Sequence, residues 1–280
     1  MWPYVIEHPI PIGTYGVMMA VGFLVGYWLM VKEFRRRNVP VEMAETTVLI
    51  YIITGILGSK LAYLLTEAET WSWQDLLSGS WLTWHGGFIL AAVSAIIYWR
   101  RRKMPLLVML DSLAPMLATG YAAGRVGCHL AGDGDYGIPC NVTDIDYSWC
   151  MSYPNGIIPT TDLVHPTPVY EVLSNLLLFA LLWGLRKRIR HPGILFGIYC
   201  IGSGVLRFFV EFIRQSEGRP DRFLNLRDAQ LVALATVIVG IVFWVVGRVR
   251  PIPVGQEYGV LTVTQAPPRP ARKARKRRAS

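Results

Sequence analysis

Residues 106–137 read LLVMLDSLAPMLATGYAAGRVGCHLAGDGDYG. The first part, Leu106 to Ala123, has the apolar character of a helix crossing a bilayer core of about 30 Å, for which roughly 20 residues are needed. The second part, Gly124 to Gly137, sets Arg125, Cys128, His129, Asp133 and Asp135 among five glycines. Charged groups at the end of a membrane helix are costly to keep near hydrocarbon, so they mark a functional site by default. Glycine lacks Cβ and lets backbone approach a ligand closely. The stretch reads as an outgoing span that ends where a charged head group is handled.

Working outward, the same apolar pattern recurs along the chain. Of 280 residues, 52% are hydrophobic and 17% charged, with a mean hydropathy of +0.36. A soluble domain would be about one-quarter charged. The fold class is all-α, a polytopic membrane protein. The net charge of +9 is concentrated in four groups: Lys32 to Arg37, Arg100 to Lys103, Arg186 to Arg190, and the tail from Arg248 to Arg278. Each follows an alternate apolar segment, which the positive-inside rule assigns to the cytoplasm. The basic balance is therefore topological, and no nucleic-acid partner is expected. Nothing basic precedes the first apolar run, so that run is expected to remain in the mature protein rather than to be cleaved as a signal peptide.

The alternation yields seven transmembrane helices, N-terminus outside and C-terminus cytoplasmic. The spans are about Tyr15–Val31, Thr46–Thr66, His85 to the Arg100 group, Leu106–Gly124, Thr167–Leu185, Gly193–Ile213 and Leu226–Val246. Residues 1–250 form the membrane domain, with an outer loop at about 132–165, and 251–280 form a disordered basic cytoplasmic tail. Trp71, Trp73, Trp81 and Trp84 suit an interfacial aromatic belt.

This topology gathers the unusual polar residues. Arg207 lies 14 residues along an outgoing span that starts at Gly193, roughly 21 Å at 1.5 Å per residue. Glu211 follows on the same helical face and can pair with it. Lys60 is similarly placed in the second span. Tyr15 and His85 open ingoing spans, as do His165, Tyr170 and Glu171, and Arg125 closes the fourth. All fall in the outer half of the membrane. Structural readings stand beside the functional ones: an Arg207–Glu211 pair locking two helices, Lys60 snorkelling to the interface, His85 capping a helix ahead of Gly86 and Gly87, and Tyr15 and Tyr170 as belt residues. Arg125, flanked by glycines, is suited to an anion, because the guanidinium fork matches phosphate. Cys128, His129, Asp133 and Asp135 match no zinc spacing and only a fragment of a calcium loop, so no metal is expected. Cys140 and Cys150 fall in the outer loop, where a disulfide is expected in an oxidising compartment. Cys200 reads as a small packed residue.

Read together, TYG at Tyr15, GSKLAY at Lys60, HGGF at His85, GRVGCHLAGDGDYG at Arg125, HPTPVYE at His165 and RFFVEFIR at Arg207 resemble the bacterial prolipoprotein diacylglyceryl transferases, in that family's order. The resemblance covers nearly the whole chain except the basic tail. It implies an enzyme at the outer face of the bacterial cytoplasmic (inner) membrane. Its partners would be phosphatidylglycerol, the prolipoprotein signal peptides that carry a lipobox cysteine, and the surrounding membrane lipids. The diacylglyceryl group would move to the cysteine thiol, with release of glycerol phosphate and with no cofactor. The catalytic residues it implies are His85, Arg125, Arg207, Glu211 and Tyr15. The phospholipid-binding residues are Arg125, Arg207, Lys60, Gly124, Gly127, Asp133 and Gly137. Departures from the family pattern are Cys128, where many members carry Asn, Pro168, where Gln is usual, and a Gly-rich stretch one residue longer. Two other readings are open at this point: a diverged family member with another acceptor, and a non-catalytic lipid or solute transporter. Transporters usually keep charges near the midplane and show repeats, and this chain shows neither pattern.

Overall fold

The computed structural model describes residues 1–6, 12–66, 84–140, 149–214, 226–250 and 261. Among them lie seven helices: α1 Thr14–Arg36, α2 Glu42–Thr66, α3 Trp84–Arg101, α4 Leu106–Ala131, α5 Thr167–Leu185, α6 Ile194–Ile213 and α7 Asp228–Val249. Six of them, all except α3, are long and apolar enough to cross a membrane. Two antiparallel hairpins are added to this helical frame, β1 Tyr4–Ile6 with β2 Ile12–Gly13 and β3 Met151–Tyr153 with β4 Thr160–Val164. The polar outer loop is thus partly ordered as a strand pair. Most of the tryptophan belt, the segment after α6 and all of the basic tail but Leu261 lie outside the described residues.

The surface is apolar and part of the interior charged. Leu177 and Leu65 are 72% and 69% exposed on their helices, whereas Glu33, Arg37, Asp111, Glu171 and Glu211 are buried. In water the first feature would be costly; against lipid it costs nothing.

The chain divides into two compact units, Met1–Glu33 with Leu107–Gly259 and Phe34–Leu106 with Val260–Ser280. In the first, α4 is the most enclosed of the six long apolar helices. Its Ala114 and Ala118 form a core with Leu178 and Leu182 of α5 and Leu195 of α6. Helices α6 and α7 meet backbone to backbone: a Cβ on Gly197 would stand 2.8 Å from the Gly240 carbonyl oxygen, and one on Gly204 2.7 Å from that of Ala233. Small residues at such crossings are how helices associate in lipid, where no hydrophobic force drives them together. Asp111 caps the start of α6, accepting hydrogen bonds from the backbone N–H of Gly193 and Phe196, each at 2.8 Å.

Helix α4 runs to Ala131, past the expected end at Gly124. Arg125, Cys128 and His129 therefore ride on helix rather than on a glycine-rich loop. Gly127 stays helical because α1 crosses it: a Cβ there would lie 3.1 Å from Tyr15 Cδ2 and 3.2 Å from Met18 Cβ. The stretch first leaves the right-handed region at Gly132, with φ of 61°.

In the second unit α2 and α3 pack just as closely. A Cβ on Gly86 would meet Ala62 Cβ at 2.2 Å and the Gly58 carbonyl oxygen at 2.4 Å. Trp99 Nε1 donates to Thr47 Oγ1 at 3.1 Å. At the α1–α2 turn, where Asn38 has φ of 56°, Leu261 from the far end of the chain is completely buried. Its N–H donates to the Arg37 carbonyl at 2.9 Å, and its own carbonyl accepts from Asn38 Nδ2 at 2.8 Å.

Candidate functional site

The last turns of α4 place Tyr121, Arg125 and Cys128 on one face, four and three residues apart. The first turn of α5 brings Glu171 against them, and the end of α6 brings Arg207 and Glu211. Tyr121 donates its hydroxyl to Glu171 Oε1. Arg125 Nε and Nη2 donate to the Tyr121 oxygen at 3.2 and 3.1 Å, and Nε stands 3.0 Å from Glu171 Oε2. Arg207 Nη2 is 2.8 Å from Glu211 Oε2, the i,i+4 pair read from the sequence, and its Nη1 is 3.7 Å from Glu171 Oε1. Arg207 Nη1 is buried and makes no hydrogen bond among the described residues. Glu171 thus gathers two guanidinium groups, Arg207 through an ion pair from Nη1 without a hydrogen bond.

Two further arginines complete the cluster. Arg227, just ahead of α7, donates through Nη1 to the carbonyls of Glu211 and Arg214 at 2.7 and 3.0 Å, closing the C-terminus of α6 with a cation. Arg214 Nη2 pairs with Asp135 Oδ1, while Asp135 Oδ2 pairs with Arg125 Nη1. Four guanidinium groups and three carboxylates are therefore interleaved at one end of the first unit.

The segment after α4 is fixed by its backbone. Gly132 and Gly134 adopt φ of 61° and 91°, which turn the chain after the helix. Gly137 N–H donates to the His165 carbonyl at 2.7 Å and Ile138 N–H to that of Ile213 at 2.9 Å. The segment is thereby clamped between the start of α5 and the end of α6. Thr167 Oγ1 donates to the Asp135 carbonyl at 2.6 Å. A Cβ on Gly137 would stand 2.4 Å from the Ile213 oxygen and 2.8 Å from His165 Cβ, so the position admits only glycine. Beyond it, Cys140 and Cys150 form the disulfide expected from the sequence. Tyr136 stacks on Tyr153, whose hydroxyl lies 3.1 Å from His129 Nδ1.

Of the residues read from the sequence, the first unit holds Tyr15, Gly124, Arg125, Gly127, Asp133, Gly137, Arg207 and Glu211. Lys60, buried in α2, and His85, exposed at the start of α3, belong to the second unit. Gly124 is not sterically required, since a Cβ there would meet Met19 Sδ at an ordinary 3.8 Å. Asp135 and Glu171 stood among the unusual polar residues of the sequence without an assigned role, and the residues missed are Tyr121, Arg214 and Arg227. Two of them carried a signal: Tyr121 stands four residues before Arg125, and Arg214 seven residues after Arg207. The Cys128 thiol and the two Asp carboxylates converge within 4.8 Å, but the two guanidinium groups on Asp135 make the locality suited to anions rather than to a cation.

Asp133 and Asp135 are driven in opposite directions. Burial disfavours ionisation of Asp135, but Arg125 and Arg214 outweigh it and hold the carboxyl below the usual range. Burial raises Asp133, the neighbouring Asp135 charge adds to this, and a hydrogen bond with Cys128 opposes it only in part. Asp135 thus contributes stability above its unfolded pKa of about 3.9 and loses it as pH falls through the depressed folded value. For Asp133 the sign is reversed: its ionisation costs stability as pH rises above that same unfolded value. At pH 7, Asp133→Asn is expected to raise the thermal midpoint of the detergent-solubilised protein and Asp135→Asn to lower it. Thermal unfolding of the two variants beside the wild type measures both signs.

Residues 3–246 match a protein family described as prolipoprotein diacylglyceryl transferase. A phosphatidylglycerol–prolipoprotein diacylglyceryl transferase of Clostridium tetani is 32% identical over 243 residues, covering 84% of this chain and 93% of that protein. One from Chlorobaculum tepidum is 31% identical, covering 83% and 84%. One from Chromohalobacter salexigens is 28% identical, covering 87% and 91%.

Proposed function

We infer that this chain, which belongs to the prolipoprotein diacylglyceryl transferase family, transfers the diacylglyceryl group of phosphatidylglycerol to the lipobox cysteine of prolipoproteins and releases glycerol phosphate. The observation that carries the reading is the pair of guanidinium groups, Arg125 and Arg207, gathered on buried Glu171, with Arg207 Nη1 making no hydrogen bond among the described residues. In the reaction the cysteine sulfur bonds to the glyceryl carbon, the bond from that carbon to the phosphate oxygen breaks, and the thiol proton is lost. Negative charge grows on the departing phosphate, where positioned cations give their largest benefit. Arg125 and Arg207 take that role, and both are held in place before any substrate arrives. Glu171 and Tyr121 orient Arg125, and Glu211 orients Arg207.

The thiol proton needs an acceptor, because a cysteine near its ordinary pKa is mostly protonated at neutral pH. Tyr15, His85 and Glu211 are the candidates. Lys60 is a further candidate cation, and Gly124, Gly127, Asp133 and Gly137 are proposed to lie beside the phospholipid. The chemistry calls for no metal or organic cofactor. The proposed setting is the bacterial inner membrane, with seven spans, N-terminus outside, C-terminus in the cytoplasm and the site toward the outer face. The alternating basic groups support this orientation, as does the Cys140–Cys150 disulfide in the segment assigned to the oxidising side.

The test combines purified protein, phosphatidylglycerol and a lipobox peptide, followed by mass spectrometry of the peptide. A diacylglyceryl increment on the cysteine, absent from a Cys→Ser peptide, is expected. Its absence beside a working control enzyme would overturn the reading.

A further inference from the structure

We propose that Asp135 is a built-in stand-in for the lipid phosphate, holding Arg125 and Arg214 around a two-oxygen anion until the substrate's phosphate displaces it. The inference deepens the transferase reading and rests on it for the identity of the lipid.

Three carboxylates meet guanidinium groups at this end of the first unit, and they are not alike. The side chains of Glu171 and Glu211 are 3% exposed and stand on helices, whereas that of Asp135 is 27% exposed and stands on the segment after α4. Asp135 is the one an incoming head group can reach. Each of its oxygens faces one terminal guanidinium nitrogen, Nη1 of Arg125 from α4 and Nη2 of Arg214 from the end of α6. The two non-bridging oxygens of a phosphodiester offer the same pair of acceptors with the same single charge.

Arg125 does not depend on Asp135 for its position, and Arg214 is anchored at its backbone while Asp135 orients its guanidinium. Arg125 keeps Tyr121 and Glu171 on its other two nitrogens. Arg214 is held at its backbone, by its bridge to Gly137 and by Arg227 on its carbonyl. The backbone of Asp135 is likewise tied down through Thr167. Exchange therefore needs rotation of one short side chain and no opening of the segment. Before lipid arrives Arg125 and Arg214 both face a carboxylate, and the phosphate that takes its place presents the same single negative charge to the two guanidinium groups.

If Asp135 competes with the phosphate, removing its charge must tighten binding. In proteoliposomes of phosphatidylcholine with graded phosphatidylglycerol, the KM for phosphatidylglycerol is expected to fall about threefold or more in Asp135→Asn, as loss of a partly exposed ion pair allows. Inorganic phosphate, compared with chloride at equal ionic strength, is expected to raise the thermal midpoint of this variant more than that of the wild type. Asp135→Ser gives the same comparison if the asparagine variant is not recovered folded. A KM that is unchanged or higher, with no added stabilisation by phosphate, would overturn the proposal. A gain from phosphate without a fall in KM would reject the lipid as the displacing group. The phosphate arm needs no turnover, so a wild type without transferase activity sinks the functional reading and leaves that arm to decide the role of Asp135.

Discussion

Arg125→Ala is expected to abolish diacylglyceryl transfer, by at least about a hundred- to a thousandfold, the usual cost of removing one donor that stabilises transition-state charge. The protein is expected to stay in the membrane at its normal abundance. Arg125 contributes both a charge and a fork: two nitrogens are committed to Tyr121 and Glu171, and the third points to Asp135. Deleting it does not leave Glu171 isolated, because Tyr121 and Arg207 remain beside that carboxylate. The larger penalty of about 3–5 kcal/mol for a wholly unpaired buried charge is thereby avoided. Arg207→Ala is expected to be as damaging to transfer, and Arg125→Lys only partly better than alanine, since an ammonium restores the charge but not the fork. Transfer by membranes containing each variant, normalised to immunoblotted protein, measures this. Full activity in either alanine variant would remove that residue from the mechanism.

Gly137→Ala is expected to be nearly as severe by a different route. The added methyl would stand 2.4 Å from the Ile213 carbonyl oxygen and 2.9 Å from Thr167 Cγ2, so it meets backbone that cannot simply turn aside. Overpacking of this kind costs about 1–3 kcal/mol even where side chains can shift. Here relief requires the segment after α4 to leave its hydrogen bonds to His165 and Ile213, which carries Asp135 away from Arg125 and Arg214. Activity is therefore expected to fall together with the thermal midpoint, unlike in Arg125→Ala. A variant with unchanged stability and no activity would place Gly137 at the substrate instead.

The frame was legible in the sequence wherever a single physical rule decided it. Span length and charge alternation located the long apolar helices, and Arg207 with Glu211 followed from helical spacing alone. The end of α4 was not legible, because Gly124 and Gly127 each disfavour helix by about 1 kcal/mol relative to alanine. What offsets Gly127 is the crossing of α1, a contact between residues more than a hundred positions apart. With the helix end misplaced, Tyr121 could not be seen as the partner of Arg125. The choice between Asp133 and Asp135 was equally hidden. They flank Gly134, and only its left-handed conformation decides which carboxylate turns toward the arginines. Arg214 lay seven residues after Arg207 on the face of Glu211, a spacing that marked it, whereas Arg227 had no periodicity to reveal it, since its role rests on α6 ending and α7 beginning at one place.

Leu261 bears on where this protein can be cut. The family match stops at residue 246 and the last helix at Val249, so a boundary drawn from homology would discard everything beyond as dispensable tail. Yet a leucine that is wholly enclosed and hydrogen-bonded through both its backbone groups is interior, whatever its position in the chain. Burial of such a side chain is worth about 1.5–3 kcal/mol. A shortened protein intended for purification should keep residue 261, because the family match ends fifteen residues before a leucine that the fold encloses.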